Sequence, residues 1–522
     1  MNPSAEVIVI GAGPAGMAAA IELTGLGITV QVVDEQPAPG GQVYRAVERV
    51  HDERAEDLAL LGEQYADGLE LVRRFRNCGA ELRAGSAVWE LAVDESRSAA
   101  PVALHCLREG RVEQLGARHA ILACGAMERP TPFPGWTLPG VMGVGAAQTL
   151  LKDAALLPAG NVVLAGSGPL LYLFAWQLLR AGVRPARVLD TTPWPSRNVL
   201  SALPAALLRA APELLRGWRW LRELHRAGLP FERRVDGLRA LPDAADARLA
   251  QVEFRRAGGA WQRLDAELLL VHDGIIPNTW LGMSAGCAHH WDAAQQCWAP
   301  RLDADLCSSR APLSIAGDAG GIGGSDAARL RGRIAALGVA RRIGPAVAAR
   351  AAARAGELAG WRAELQPLAA LRRFLDAHYP AAGLFRRPSD ETIVCRCEEV
   401  SAGEIRRCAA LGVVGPNQGK AFTRCGMGPC MGRECGTSVG RLIADHHGLA
   451  MDEVGHYRIR PPLRPITVGQ LADLQLDGDD AEGASRGATT FARLLGDDGG
   501  DGGGADASAG DAGPRDGPGR SA

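Results

Sequence analysis

The pattern of apolar and polar positions predicts two successive strand–turn–helix units. The first runs from the apolar stretch "VIVI" at 7–10 through the turn "GAGPAG" and an apolar helix to a strand that closes at Asp34. The second opens at Asn161 with "NVVLAGSGPLLYLFAWQLL", where a short apolar strand, a Gly-Ser-Gly-Pro turn and a helix follow one another. Such β-α-β alternation predicts an α/β fold with two Rossmann-like dinucleotide-binding domains, each built on a parallel sheet.

Further elements are predicted around these units. A charge-rich helical segment covers about 52–76, short alternating strands fill 80–122, and near 313 a strand enters a glycine-rich turn and a long helix. After about 350 come Ala- and Arg-rich helices, followed by a segment at 395–435 that holds six of the twelve cysteines. From 476 to 522 the chain is mostly Gly, Asp, Ala and Ser; it has too little apolar surface to offset the entropy of ordering, so we expect disorder there.

Composition narrows the functional classes. The 522 residues suffice for two or three domains, and a net charge of −2 argues against nucleic acid as a partner. The start lacks the basic region of a signal peptide, and Gly and Pro interrupt the uncharged run 162–179, so we expect no export signal and no membrane span. The expected location is cytoplasmic, with a peripheral membrane association left open. In that compartment clustered cysteines indicate metal or redox chemistry.

The first glycine-rich turn has the dinucleotide fingerprint GxGxxG, formed by Gly11, Gly13 and Gly16. The three glycines allow, in order, a tight turn, the approach of a pyrophosphate to the backbone, and close packing of helix on strand. Asp34 and Glu35 end the next strand, where a carboxylate can accept hydrogen bonds from ribose hydroxyl groups. The pattern by itself does not distinguish FAD from NAD.

The second turn repeats the fingerprint incompletely. Gly166 and Gly168 are present, but Leu171 holds the third position, where a bulky side chain should displace the helix or block the pyrophosphate. Asp190 ends the following strand and would disfavour a 2′-phosphate. We therefore predict a second nucleotide-binding domain and leave open whether it binds NAD(P), another adenine nucleotide or nothing.

The cysteine segment contains a C-x-C pair and a C-x4-C pair, which together suit a four-thiolate site. The predicted ligands are Cys395, Cys397, Cys430 and Cys435. Two kinds of metal site would fit these thiols, an iron–sulfur cluster and zinc. Zinc is the less favoured alternative, because zinc sites more often use two C-x2-4-C pairs than a C-x-C pair. Cys425 and Cys408 are predicted to be structural.

Two helices should flank these thiols. Ser401 and Glu404 form a capping box that starts a helix ending at Gly412. A second helix is predicted from around Gly432 to His447, and its N-terminal dipole would favour thiolates nearby. No acid–base constellation stands out. His289 and His290 are predicted to be a solvated or capping pair, His272 is predicted to be structural, and the catalytic residues stay unknown.

Three further stretches resemble the two-dinucleotide-domain flavoproteins, the family of glutathione and thioredoxin reductases. They are "GGQVYR" at 40–45, "ILACGAMERP" at 121–130 and "LSIAGDAGG" at 313–321. The resemblance implies that FAD occupies the N-terminal site and that residues after about 300 complete the first domain. The contacts it implies, besides the first glycine turn, are Gly41, Gln42, Gly125, Gly317 and Asp318. Paired cysteines beside the flavin are missing from the sequence, so dithiol chemistry is not expected.

The cysteine segment resembles the two-iron module of bacterioferritin-associated ferredoxin, which implies a small helical domain with a 2Fe-2S cluster. Together with the resemblance to the reductases, it gives a division of the chain by residue number. The predicted parts are an FAD domain (1–130 and 300–350), a second nucleotide domain (131–299), a helical linker (351–389), the 2Fe-2S domain (390–448), a C-terminal extension (449–475) and the tail (476–522).

Six strings taken together resemble the FAD-binding A or α subunits of opine oxidases, hydrogen cyanide synthase and heteromeric proline, hydroxyproline and sarcosine dehydrogenases. They are "FPGWTLPGVMG", "DGIIPNTWL", "HHWDAAQQCWAPRLDADLCSS", "CRCEEVSAGEI", "GMGPCMGREC" and "RPPLRPITVGQLADL". The resemblance implies that a second flavoprotein subunit with an amino-acid-oxidase fold oxidises an amine or opine. The present chain would then relay electrons through FAD and the cluster to a quinone or carrier protein. The alternatives are a self-standing NAD(P)H-dependent reductase and a scaffold with vestigial sites.

Overall fold

The computed structural model describes residues 4–97, 99–245 and 247–472. The predicted tail (476–522) and the end of the predicted extension lie outside these ranges.

Strands of the described chain form two parallel sheets and several small antiparallel ones. In chain order they are β1 (Ala5–Ile10), β2 (Val30–Val33), β3 (Glu81–Arg83), β4 (Ala87–Val93), β5 (Val102–Arg108), β6 (Arg111–Leu122), β7 (Ala126–Glu128), β8 (Val141–Gly143), β9 (Val162–Ser167), β10 (Arg187–Asp190), β11 (Phe231–Arg233), β12 (Val235–Pro242), β13 (Leu249–Arg256), β14 (Trp261–Asp265), β15 (Leu268–Asp273), β16 (Ile275–Pro277), β17 (His289–Asp292), β18 (Cys297–Pro300), β19 (Leu313–Ile315), β20 (Ile393–Cys395) and β21 (Val400–Ser401).

Helices cover both parallel sheets and make up most of the chain after β19. In chain order they are α1 (Pro14–Gly25), α2 (Val47–Glu53), α3 (Asp57–Leu61), α4 (Glu63–Ala66), α5 (Gly68–Arg76), α6 (Val144–Ala154), α7 (Pro169–Arg180), α8 (Arg197–Arg209), α9 (Ala211–Arg226), α10 (Trp280–Ser284), a 3₁₀ turn (Gly317–Gly320), α11 (Ser325–Ile343), α12 (Pro345–Ala353), α13 (Ala355–His378), α14 (Gly383–Arg386), α15 (Ala402–Ala410), α16 (Pro416–Thr423), α17 (Gly436–His447), α18 (Met451–Val454) and α19 (Val468–Ala472).

The first parallel sheet has the strand order β3-β2-β1-β6, extended by the antiparallel strands β5 and β4. Strand β19 returns late in the chain and pairs in parallel with the end of β6, at Leu313 opposite Ala120. Side chains of β1 and β2 are almost all buried, which explains their mainly apolar sequences. The sheet therefore combines residues before 123 with residues after 312.

The second parallel sheet has the order β11-β10-β9-β15-β8. An antiparallel sheet, β12-β13-β14, shares an apolar core with it that includes Val163, Leu238 and Phe254. The uncharged run 162–179 folds as β9, a glycine turn and α7, as predicted. No helix in the described ranges is long and apolar enough to cross a membrane.

The cysteine segment consists of the β20–β21 hairpin and helices α15, α16 and α17. The predicted capping box is confirmed: the Ser401 backbone N–H donates to Glu404 over 2.8 Å, and the Glu404 N–H donates to the Ser401 hydroxyl group over 3.3 Å. Helix α17 starts at Gly436, four residues later than predicted, with Cys435 at its N-cap. One apolar cluster contains Ile8 of the first sheet and Leu442 of this segment, so the two pack together.

The charge-rich segment at 52–76 is helical, as predicted, and is divided among four short helices (α2 to α5). Gly62 separates α3 from α4 with a φ of +102°, a conformation that ends a helix. The strand–turn–helix predicted near 313 is confirmed as β19, the 3₁₀ turn and α11.

A buried histidine in the first sheet should make stability depend on pH. His119 is hydrogen-bonded to the Ser314 hydroxyl group over 3.1 Å, and burial lowers the pKa of His119 to about 3. Below pH ~6.5 the His119 side chain binds a proton in the unfolded chain but stays neutral in the folded chain. The free energy of unfolding should therefore fall by about 1.4 kcal/mol for each unit by which the pH is lowered below ~6.5. Urea unfolding of the natural protein and of His119→Gln, compared above and below this pH, measures the difference; equal pH dependence in both would contradict it.

Candidate flavin and thiol site

A single large cavity of about 1750 Å³ joins three predicted functional regions. Its lining includes the first glycine turn at Gly11 and Gly13, the second turn at Gly168, and Cys430 of the cysteine segment. Every predicted flavin contact except Gly16 also lines it: Asp34, Glu35, Gly41, Gln42, Gly125, Gly317 and Asp318. The fold thus brings together residues from both ends of the described chain.

The first glycine turn has no room for side chains at two of its three glycines. Gly11 has a φ of +108°, and a Cβ there would lie 2.4 Å from the Ala123 carbonyl oxygen. A Cβ on Gly16 would lie 1.8 Å from the Gly11 carbonyl oxygen. At Gly13 the nearest atom is a Gly41 Cα at 3.8 Å, so the backbone there is open to a ligand. This is the arrangement that a pyrophosphate needs at the start of a helix.

The two acidic residues after β2 have different environments. Asp34 accepts hydrogen bonds from the N–H groups of Ala12 (2.5 Å) and Gln36 (2.7 Å), so its carboxylate holds the glycine turn. Burial raises the pKa of Asp34, and these two hydrogen bonds oppose the rise. Glu35 is more exposed and forms an ion pair with Arg464 of the C-terminal extension. Asp34 and Glu35 both line the cavity. The sequence predicted neither the hydrogen bonds from Asp34 to the glycine turn nor the ion pair of Glu35.

Asp318 has one carboxylate oxygen engaged and one free. Its Oδ1 accepts hydrogen bonds from the backbone N–H groups of Gly323 (2.8 Å) and Gly324 (3.0 Å). Among the described residues nothing hydrogen-bonds to Oδ2, and Asp318 lines the cavity. This free oxygen suits the flavin contact that the family resemblance implies for Asp318.

Lys152 is a buried residue of the site that sequence reasoning missed. Its ammonium group donates to the carbonyl oxygens of Gln42 and Val43, both at 3.1 Å, and to the Gln148 side chain at 3.0 Å. Burial, reinforced by the nearby Arg45, lowers the pKa of Lys152 to about 7. The lysine therefore fixes the loop that the sequence predicts to flank the flavin, whereas the Gln42 side chain itself is exposed.

Lys152→Met should release this loop. Two backbone carbonyl oxygens would lose their charged donor, at a cost of about 1–3 kcal/mol, and FAD should dissociate more readily. FAD retained after gel filtration, together with the urea midpoint, measures the effect. Lys420→Met, which changes a lysine on α16 away from this loop, is the control. FAD retention by Lys152→Met equal to that of the control would contradict this role.

Five thiols meet in the cysteine segment. The Cys395 thiol lies close to those of Cys425 and Cys435, and the Cys397 thiol close to that of Cys430. The contacts with Cys425 and Cys435 lower the pKa of Cys395, whereas the contacts with Cys395 and Cys425 raise the pKa of Cys435. Cys425 was predicted to be structural, but its thiol also contacts the thiols of Cys395 and Cys435. Its position five residues before Cys430 was the sequence feature that could have indicated this.

The donor chemistry of this group fits a thiolate-ligated cluster. Tyr457 is 2% exposed, and its hydroxyl group lies beside the Cys435 thiol without a nitrogen or oxygen partner. Burial and the adjacent thiols raise the pKa of Tyr457, so it remains a donor that could bond to a sulfur. Within the described ranges no three His, Cys, Asp or Glu side chains form a ready metal site, so the thiols would have to rearrange around a bound group.

Specific contacts fasten the cysteine segment over the cavity. The Trp280 indole donates to the Met431 carbonyl oxygen over 3.2 Å. Arg433 donates to the carbonyl oxygens of Cys430 (3.1 Å) and Leu463 (2.9 Å). Next to Leu463, Arg464 reaches Glu35 at the first nucleotide site. The C-terminal extension thus links the thiols to the flavin side of the cavity.

The second glycine turn is better formed than its sequence predicts. The Leu171 side chain is fully buried in the core below α7, so it does not obstruct the turn. The His272 ring lies against Gly168, about 3.7 Å from the position of a Cβ, and it is hydrogen-bonded to Glu128 over 2.6 Å. Asp190 accepts a hydrogen bond from the Thr192 N–H over 2.8 Å. Whether this domain binds NAD(P), another adenine nucleotide or nothing stays open.

Within the predicted solvated or capping pair at 289–290, His289 is not solvated. His289 is bonded to the Cys287 carbonyl oxygen over 2.8 Å, and burial lowers the pKa of His289 to about 4. The residue is a neutral structural histidine of β17.

Comparison with known proteins divides the chain into the same two parts that form this site, the nucleotide-binding part and the cysteine segment with the C-terminal extension. A family model described as pyridine nucleotide-disulphide oxidoreductase matches residues 5–349, and one described as the sarcosine oxidase A3 domain matches 389–474. The solved structure of L-proline dehydrogenase from P. horikoshii has the same fold, with a TM-score of 0.61 and 17% identity over 90% of this chain and 79% of that one.

Two curated relatives are similar over nearly their whole length. The A subunit of opine oxidase from Rhizobium meliloti is 43% identical, over 90% of this chain and 98% of that protein. The HcnB subunit of hydrogen cyanide synthase from Pseudomonas aeruginosa is 35% identical over the same shares. The chain therefore belongs to the pyridine nucleotide-disulphide oxidoreductase family, within the group of flavin-dependent oxidoreductase subunits that includes HcnB and the A subunit of opine oxidase.

Proposed function

We propose that this chain is the FAD-containing electron-transfer subunit of a heteromeric amine or opine dehydrogenase or oxidase. It would relay electrons from the flavin of a partner subunit, through its own FAD and a 2Fe-2S cluster, to a quinone or carrier protein. The observation that carries the proposal is the shared cavity, which both the first glycine turn and Cys430 line.

The FAD would be held by residues already described. Gly11, Gly13 and Gly16 would receive the pyrophosphate, and the free oxygen of Asp318 would bond the ribityl chain. Glu35 is the more exposed carboxylate for the ribose, because both oxygens of Asp34 hold backbone N–H groups, whereas in the described chain those of Glu35 contact only the side chains of Gln36 and Arg464. Lys152 would keep the 42–43 loop in place beside the ring.

The cluster would be held by Cys395, Cys397, Cys430 and Cys435, with Cys425 as the adjacent fifth thiol. When bound, a 2Fe-2S cluster accepts one electron at a time, which complements a flavin that accepts two. In this chain Arg433 fixes the backbone at Cys430, and the Tyr457 hydroxyl group is available to donate to a sulfur. Zinc is the competing occupant, since the same thiols could bind it.

A partner subunit follows from the names of the relatives. HcnB and the A subunit of opine oxidase are each named as subunits, so we infer that this chain also functions with a second chain. That chain, with the amino-acid-oxidase fold that the sequence resemblance implies, would bind and oxidise the substrate. Substrate specificity would then be encoded in the partner.

A self-standing NAD(P)H-dependent reductase is the second candidate. One observation favours it: the Leu171 side chain is buried in the core, so it does not block the second glycine turn, where a nucleotide would bind. In that case the purified chain alone would accept electrons from NADH or NADPH.

Anaerobic absorbance spectroscopy distinguishes the two functions. The purified chain is mixed with NADH or NADPH, and separately the complex co-purified with its partner is mixed with a series of amino acids and opines plus a dye acceptor. The relay predicts little bleaching of the 450-nm flavin band by either nucleotide, and dye reduction by the complex with one substrate class. Rapid bleaching of the isolated chain by NADH or NADPH would reject the relay in favour of the reductase.

A further inference from the structure

The ligand-binding edge of the second parallel sheet is covered by the chain's own segment 376–382. In such sheets ligands bind outside the carboxyl ends of the strands. Asp190 lies at that end of β10 and Asp273 at that end of β15, and these two strands flank β9, which leads into the second glycine turn. The segment consists of the last turn of α13 and the residues that follow it, and it approaches both carboxylates.

At β15 the segment is anchored by a buried hydrogen bond. The Ala382 backbone N–H donates to Asp273 Oδ1 over 2.9 Å, and the Asp273 side chain is completely buried. On its other side Asp273 is held by Arg129, which donates to the Asp273 carbonyl oxygen over 3.1 Å. Because water has no access to this carboxylate, the bond fixes the path of the chain after α13.

At β10 the segment fills the crevice beside α7 with aromatic rings. The centre of the Tyr379 ring is 6.0 Å from that of Tyr172, the fourth residue of α7, and 4.5 Å from that of His378. The Tyr172 hydroxyl group lies 3.4 Å from Thr192 Oγ1, two residues after Asp190. Burial, reinforced by the nearby Asp190 carboxylate, raises the pKa of Tyr379. The Tyr379 ring therefore lies between the start of α7 and the end of β10.

The two nucleotide sites consequently differ in what the cavity reaches. At the first site it reaches the glycine turn and also the carboxylates of Asp34 and Glu35. At the second site it reaches Gly168, but within the described ranges Asp190 is not part of its lining, whereas Tyr379 is. The phosphate end of the second site is open and its adenosine end is closed.

We propose that His378 and Tyr379 occupy the adenosine place of the second nucleotide site and thereby exclude NAD(P)H from it. A bound dinucleotide would need its ribose hydroxyl groups at Asp190, through the space that the Tyr379 ring fills. The obstacle to a nucleotide is thus the end of α13 and not Leu171. The inference concerns this domain alone and would hold with either occupant of the thiol site.

Equilibrium binding of NADH and of ADP to the full-length, FAD-loaded protein tests this closure. The natural protein should bind neither appreciably. Tyr379→Ala should bind both about tenfold more tightly or better, because the binding-competent state is no longer blocked. Tyr379→Phe keeps the ring and should bind as the natural protein does. Tight NADH binding by the natural protein, or no gain in Tyr379→Ala, would overturn the proposal.

The flavin spectrum reports that each variant is folded, and Tyr379→Leu, a milder truncation, provides the same comparison with a smaller gain. Adding Asp190→Asn to Tyr379→Ala localises the binding. The combined variant should lose the gained affinity, since the acceptor for the ribose hydroxyl groups is weakened. If it keeps that affinity, the nucleotide binds elsewhere and the proposal fails.

The outcome is separable from that of the relay. NADH that binds the natural protein tightly without bleaching its flavin would overturn the closure and leave the relay standing. Zinc found in place of iron would reject the cluster and leave the closure standing.

Discussion

Cys430→Ser should remove most of the iron from anaerobically purified protein and abolish the electron paramagnetic resonance signal of the reduced cluster, while FAD stays bound. A serine hydroxyl group is a far poorer ligand for iron than a thiolate, and we expect the affinity to fall by about 100-fold or more. The FAD contacts lie elsewhere around the cavity, so the flavin absorbance should be retained. Iron analysis, the resonance spectrum and the flavin spectrum of the same sample give the comparison.

Cys408→Ser is the matched control, because Cys408 lies in α15 outside the contacting thiols. It should keep both iron and signal. Iron retained by Cys430→Ser at the level of this control would contradict the assignment of Cys430.

The structure adds a second comparison at Cys425. If Cys425 only donates to ligated sulfurs, Cys425→Ser keeps its iron and shifts the resonance signal, since bonds to the sulfurs tune such clusters. If instead Cys425→Ser loses iron and Cys430→Ser keeps it, the ligand set is centred on Cys395, Cys425 and Cys435, which the structure brings into contact.

Gly16→Ala should eliminate FAD binding. The added Cβ would lie 1.8 Å from the Gly11 carbonyl oxygen, a backbone atom that cannot move without opening the turn. Overpacking of this kind costs about 1–3 kcal/mol in stability, and the displaced turn would no longer receive the pyrophosphate. The ratio of absorbance at 450 nm to that at 280 nm, and a urea unfolding curve, measure both effects.

The same helix supplies the control. Gly25→Ala makes the identical substitution at the other end of α1, where a Cβ would meet no atom within 4 Å. That variant should bind FAD normally and be as stable as the natural protein, or more stable by about 0.5–1 kcal/mol. If Gly16→Ala binds FAD as well as Gly25→Ala does, the assignment of the glycine turn is wrong.

Local patterns were enough to predict much of the fold. The glycine turn after β1, the capping box at Ser401 and Glu404, and the broken run at 162–179 are each determined by neighbouring residues, and the structure contains all three. The family resemblance added the pairing of late residues with the first domain, which β19 provides.

Contacts between distant parts of the chain were not predictable in this way. Lys152 bonds to a loop about 110 residues earlier, and Arg464 to Glu35 more than 400 residues earlier. Lys152 belongs to none of the quoted motifs, and Arg464 lies in a string that carried only the family resemblance, so the role of each comes from burial or charge that arises only on folding. Leu171 shows the reverse error: a bulky residue at a glycine position predicts obstruction, but the fold has room for it in the core.

The central claim is that FAD and a 2Fe-2S cluster exchange electrons within this one chain. Anaerobic reduction of the purified protein, followed by flavin absorbance and electron paramagnetic resonance on the same samples, tests it most directly. The account predicts about two iron atoms per FAD and a cluster signal that grows as the flavin becomes reduced. Protein that holds zinc or no metal, or a flavin that becomes fully reduced without any cluster signal, would contradict it.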